Sequence, residues 1–199
     1  MRVYLVFFIF VFHCVAHGQQ PVKDSDMFAM DLEKNILRVV LTAQISDDEG
    51  WPLTLNYERE IKRPFTLVFK GGPEIKCYDT LHFSVNAFGA IEFRFYCNLL
   101  DRIKKGKRVY NFSAPYFSIE ETFLSDAFLL SGVNREKVPS ARGGTFFNFG
   151  IQNQFKRGYF NAFFGMSLRR RDTKRPYFEP GQFHVGIALG RVLTDEILK

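Results

Sequence analysis

The chain has 199 residues, among them 24 Phe, 8 Tyr and one Trp, so 17% of it is aromatic while 24% is charged and the net charge is +6. This is too aromatic for a disordered segment and long enough for one domain with a sizeable core, and a mean hydropathy near zero argues against a bundle of membrane-spanning helices. What any architecture must explain is why so much of the apolar content is Phe.

Residues 1–18 read as a secretory signal peptide: a basic start at Arg2, an apolar run from Val3 to Phe12, and small Ala16 and Gly18 before a cut at Gln19. The run is too short to span a membrane as a helix, and Gln19, Gln20 and Pro21 follow it directly. His13 rather than a small residue precedes Cys14, which argues against lipidation there. Cleavage removes one of 27 basic residues and no acid, leaving 26 − 21, a net charge of +5. Residues 19–34 are expected to form an N-terminal periplasmic segment, 35–193 a barrel and 194–199 a tail.

From about residue 35 the chain alternates apolar and polar residues with period two, the signature of strands with one face in an apolar medium. The first segment, Ile36 to Ile45, sets Leu37, Val39, Leu41, Ala43 and Ile45 against Arg38, Thr42 and Gln44. Leu53 to Glu60 sets Leu53, Leu55 and Tyr57 against Thr54, Asn56 and Glu58, and a third segment runs from Phe65 through Gly71 and Gly72 toward Cys77. The fourth is the clearest, with Phe83, Val85, Ala87, Gly89, Ile91, Phe93 and Phe95 on one face. The fifth, Tyr116 to about Phe128, is irregular because Glu121 shares a face with Phe117, Ile119 and Phe123; either a bulge shifts the register or Glu121 sits near an interface. Thr145 to Gln154, Phe160 to Leu168 and Phe183 to Leu189 complete eight segments, an even number joined in sequence by turn-like or polar connections. The fold class is therefore all-β, an eight-stranded antiparallel up-and-down transmembrane β-barrel.

The polar faces decide which side meets lipid. They mix Arg38, Lys70 and Arg94 with Glu58, Glu92 and Glu120 and with small residues such as Gly186, Ala188 and Gly190, a strange water-facing surface but a suitable filling for a narrow lumen in which charges must be paired. Phe at 65, 83, 95, 117, 160 and 183 falls at the ends of the apolar faces, where aromatic girdles meet the membrane interfaces. The opposite arrangement, a soluble periplasmic lipocalin-like ligand-binding barrel with its faces reversed, is the alternative.

Leu55-Asn56-Tyr57-Glu58-Arg59, Glu92-Phe93-Arg94-Phe95-Tyr96, the basic run Arg102-Ile103-Lys104-Lys105-Gly106-Lys107 before Asn111-Phe112-Ser113, and Tyr116-Phe117-Ser118 resemble small outer-membrane β-barrel proteins of Gram-negative bacteria, of the OmpA and OmpX type. The similarity covers roughly residues 35–193 and implies an outer-membrane location and a fold rather than an activity. The chain departs from that group in lacking a terminal aromatic: Thr194 to Lys199 follow the last strand.

With both termini periplasmic, the outer loops are expected at 46–51, 78–82, 129–144 and 169–181, and the inner turns at 61–64, 98–115 and 156–158. The length of the 98–115 connection is anomalous and suits a short helix or a periplasmic contact. Arg102, Lys104, Lys105, Lys107 and Arg108 have the composition of a nucleic-acid patch, but an exported protein rarely meets nucleic acid. Arg169, Arg170, Arg171, Lys174 and Arg175 would lie near the outer headgroups, where they suit lipopolysaccharide phosphates. His82 and His184 are the candidate bases for a lipid-modifying barrel enzyme, yet no nucleophile, base and acid align, so no catalytic residue is assigned. No cofactor or metal site is expected, the barrel is expected to be monomeric with a plugged polar lumen, and Cys77 and Cys97 are expected at opposite ends as free thiols.

Overall fold

The computed structural model describes residues 34–45, 51–77, 83–105, 112–131, 142–155, 157–172 and 183–193. Eight strands follow one another: β1 (Asn35–Ile45), β2 (Trp51–Lys62), β3 (Phe65–Cys77), β4 (Phe83–Tyr96), β5 (Pro115–Ser131), β6 (Arg142–Phe155), β7 (Gly158–Asp172) and β8 (Phe183–Val192). Each pairs antiparallel with its neighbours in sequence, and β8 returns to β1 with Val192 opposite Arg38 and Val185 opposite Ile45, closing the barrel. Closure satisfies the edges that an open sheet would leave unpaired. Asn35 and Val192 lie at one end, called here the terminal end; the opposite is the far end.

The period-two pattern becomes an inverted burial. Along β2, Thr54, Asn56 and Glu58 point into the lumen and are buried, whereas Leu53 and Leu55 point outward with 45% and 49% of their surface exposed. Among the described residues the buried set holds 12 hydrophobic and 20 polar or charged side chains, the reverse of a water-soluble domain. The Phe excess is now placed: Phe69, Phe93, Phe95, Phe117, Phe123, Phe147, Phe149, Phe155, Phe164 and Phe183 are all outward and exposed.

The strands run longer than the alternation indicates. Trp51 opens β2 and Ile61 and Lys62 end it, Leu129 belongs to β5, Arg142 to Gly144 open β6, and Arg169 to Asp172 end β7, all positions expected in loops or turns. Gly143 and Gly144 carry no side chain to mark a face, and consecutive arginines are polar on both faces, so period two is silent there. The 98–115 connection carries a helix, α1 (Leu99–Lys104), at the terminal end. Of the two readings left open for Glu121, the register break does not fall there. Ile119 and Phe123 remain outward, Glu121 stays on their face and accepts a hydrogen bond from the Thr145 hydroxyl on β6, and the irregularity lies farther along, beside Val85 to Phe88 of β4.

The signal peptide, the N-terminal segment up to residue 33 and the tail from residue 194 lie outside the described residues, as do His82, Lys174 and Arg175.

Candidate functional site: the barrel lumen and its rims

The six charged residues of the polar faces meet in one ladder across the lumen. On the β1 side, Arg38 Nη1 lies 2.6 Å from Glu58 Oε2. Glu58 also accepts from Thr66 Oγ1 at 2.8 Å, from the Tyr96 hydroxyl and from Gln152 Nε2 at 3.3 Å. Arg94 stands between Glu58, 4.0 Å away, and Glu92, 2.6 Å away, and also donates to Gln152 Oε1. Lys70 Nζ then bridges Glu92 and Glu120, each at 2.8 Å, and Asn148 donates to Glu120 at 3.0 Å. With Lys76 beside Glu74 at 3.6 Å, each of the inward cations Arg38, Lys70, Lys76 and Arg94 has a carboxylate within 4 Å. Such pairing is what a low-dielectric interior demands, because one unmatched ion there costs several kcal/mol.

Aromatic rings cover the guanidinium faces that the carboxylates leave open. The Arg38 guanidinium lies 4.6 Å from the Tyr159 ring centroid, and that of Arg94 lies 4.5 Å from the centroid of Tyr116, whose hydroxyl meets Asn161. The glycines of the inward faces make room for these rings. A Cβ at Gly150 would overlap the Tyr116 ring, with Oη at 2.6 Å, and one at Gly186 would overlap the ring of Phe163.

At the terminal end the filling becomes apolar. Ile36, Tyr96, Leu99, Phe112, Ala114, Tyr116 and Val192 form one buried cluster, with Ile103 of α1 packed against it. Phe112 holds φ at +62°, a left-handed conformation that a bulky residue adopts only when its surroundings repay it. Its ring is fully buried and stacks on Tyr96. The anomalous connection is thus anchored by Leu99 and Phe112, while Leu100, Asp101 and Lys104 stay exposed. Partial burial of the Arg102 guanidinium, on the same helix, lowers its pKa from the ordinary value.

His184 is buried in the lumen against the edges of Phe146 and Phe163, with centroids 4.9 and 5.8 Å away, and its Nδ1 has no hydrogen-bond partner. Among the described residues, no acidic side chain orients it through that nitrogen, as a general base requires. Cys97 lies exposed just beyond β4 at the terminal end as a free thiol, whereas Cys77, opposite Phe83, ends β3 at the far end. Of the basic group 169–175, Arg169, Arg170 and Arg171 lie on the far-end part of β7, opposite Thr145, Gly144 and Gly143.

Sequence reasoning found the six ladder charges but not the inward Tyr96 and Tyr116, which complete the ladder with Gln152 and Tyr159. Their signal was present, since each lies at an inward position of its strand; an aromatic ring at such a position does not announce a polar task.

No family model matches the chain, and no curated protein matches it in sequence. Among solved structures, the chain is similar to the N-terminal β-barrel domain of OprF from Pseudomonas aeruginosa, at 9% sequence identity and a TM-score of 0.48, over 80% of this chain and 97% of that one. The class defined by the chain's own strand pairing is the closed eight-stranded antiparallel up-and-down barrel.

Proposed function

We propose that this protein is an outer-membrane β-barrel with a structural or interaction role at the cell envelope, its terminal end in the periplasm and its lumen closed to solutes. The observation that carries this reading is the inverted burial, with paired charges inside and a continuous apolar exterior. Leaving that exterior in water would cost about 25 cal/mol per Å² of apolar surface, whereas a bilayer accepts it. The charge ladder fills the middle of the lumen, and the Leu99 and Phe112 cluster stops its terminal mouth. No step of catalysis is assigned to it.

Arg169, Arg170, Arg171, Lys174 and Arg175 are proposed to contact lipopolysaccharide phosphates at the far end. Replacing all five by Ser should raise envelope permeability to bulky antibiotics, and an unchanged permeability would remove the proposal.

The membrane reading is tested by fractionating cells and comparing unboiled with boiled samples on a gel, since a folded barrel migrates differently from its heated form. Recovery in the soluble periplasmic fraction with no heat-dependent shift would overturn it. In planar bilayers the barrel should give no steady ion conductance, and stable open channels would refute the closed lumen.

A further inference from the structure

The apolar outer wall of the barrel is interrupted on one side. On β5 the outward row runs Phe117, Ile119, Glu121 and Phe123, and its three apolar members are exposed. Glu121 is thus an acid within an apolar wall. It lies four residues from Phe117, about 13 Å along the strand and roughly 10 Å after tilt, well inside a band about 25 Å tall. Its neighbours across the strand pairs are the exposed Ile91 of β4 and Thr145 of β6. The Thr145 hydroxyl donates to Glu121 Oε2 at 2.5 Å, and among the described residues it is the one polar partner of that carboxyl.

One row farther toward the far end the same wall is uneven. Gly71 of β3, Gly89 of β4 and Phe123 of β5 stand side by side and face outward, with the exposed Leu55 of β2 beyond Gly71. A Cβ built at Gly71 meets nothing within 4 Å, and one at Gly89 meets the Lys70 carbonyl oxygen at 3.9 Å. The two glycines therefore leave a trough next to the projecting Phe123 ring, which is 53% exposed.

We infer that the β3–β5 wall packs against a second copy of this chain, about a two-fold axis along the bilayer normal that passes beside Glu121 and Gly89. The inference rests on the membrane reading above, and it replaces the monomer expected from the sequence. Hydrocarbon chains offer Glu121 no polar group and headgroups lie roughly 10 Å away, so lipid alone leaves an intramembrane acid facing an apolar medium. A two-fold along the normal carries each residue to the same depth in the partner, so a copy supplies a second carboxyl and a second Thr145 hydroxyl at that depth. One proton held between two carboxyls removes their repulsion. Knob and trough adjoin on one wall, so the same operation seats each Phe123 against the other copy's Gly71 and Gly89, where small residues permit close approach. An unrelated partner would have to match both features separately.

The test uses the mature chain with Cys77→Ser, labelled at the exposed Cys97 with donor or acceptor dye and folded as a mixture into phosphatidylcholine vesicles, reading energy transfer as lipid is added. Transfer should persist through a tenfold dilution into lipid. Gly71→Leu with Gly89→Leu fills the trough from open space, so heat-dependent migration should stay while the paired fraction falls at least tenfold. Glu121→Leu, which suits lipid better than the acid, should lower the paired fraction severalfold. Ala43→Leu adds bulk to the exposed face of β1, on the opposite wall, and should change nothing. Transfer from the unaltered chain that drops to the random-encounter level on dilution would overturn the proposal. So would pairing that survives the glycine pair or Glu121→Leu, or that Ala43→Leu weakens equally. Should the glycine pair not fold, Phe123→Ala removes the knob instead and decides by the same readout. Failure of the unaltered chain to gain heat-dependent migration in vesicles of any composition would instead sink the membrane reading itself.

Discussion

Tyr96 joins the two halves of the lumen filling: its ring stacks on Phe112 with centroids 5.4 Å apart, and its hydroxyl donates to Glu58 at the centre of the charge ladder. The apolar cluster at the terminal end and the ionic network are therefore joined through this one side chain.

Glu58 takes hydrogen bonds from four side chains: Arg38, Thr66, Tyr96 and Gln152. Glu58→Ala leaves the Arg38 charge buried without its carboxylate and should destabilise the folded barrel by about 3–5 kcal/mol. Replacing Arg38 and Glu58 together by Met should cost far less than the single change. Urea titration in lipid vesicles, following the fraction with folded gel mobility, measures both.

Phe112→Ala removes a fully buried ring from the terminal apolar cluster and should cost about 3–5 kcal/mol. Phe112→Gly relaxes the positive φ as well and should be slightly less harmful than Ala, although Gly is the smaller residue. Parallel urea midpoints for the two variants give the comparison.

Gly186 and Phe163 occupy one volume, so Gly186→Val should prevent folding to the native mobility, and adding Phe163→Ala should recover part of it. Independent, additive losses for the two changes would show that they do not share that space.

An arginine placed outward at Leu41, in the middle of β1, should cost about 2–4 kcal/mol in a bilayer, while one at Ile61, near the terminal end of β2, should cost about 0–1 kcal/mol. Similar small costs at both positions would mean that water, not lipid, surrounds the strands.

Cys77 and Cys97 lie at opposite ends of the barrel, so non-reducing gels should show no intrachain bridge. In intact cells a thiol reagent that cannot cross the outer membrane should leave Cys97 unlabelled, and it should react once that membrane is permeabilised. Labelling of Cys97 in untreated cells would reverse the orientation.

Much of the fold was legible because alternation is an unusually direct code: each strand's two faces meet different media, so Arg38, Glu58, Lys70, Glu92, Arg94 and Glu120 were identifiable as lumen charges. The code failed where it had nothing to alternate. Gly143 and Gly144 carry no face information, and the arginines at 169–171 are polar throughout, so the far-end extensions of β6 and β7 were read as loop. The terminal apolar cluster was hidden for another reason. Leu99 and Phe112 belong to a connection without periodicity, and only barrel closure brings Ile36, Tyr96 and Val192 together for them to pack against. Glu121 shows a third limit, since an outward acid leaves a register break and an interface position equally open until Thr145 on the neighbouring strand supplies its donor.

On the membrane reading proposed above, the charge ladder also bears on how the barrel inserts. The β1–β2 hairpin holds Arg38 with Glu58, but β3 and β4 together bring Lys70, Glu92 and Arg94 into the ladder, and the matching Glu120 sits on β5. A partly assembled sheet entering lipid would therefore carry an unbalanced ion toward the hydrocarbon, at a cost of several kcal/mol, until β5 docks. Electroneutrality thus makes insertion cooperative, holding back incomplete sheets and admitting the barrel once its strands have found each other.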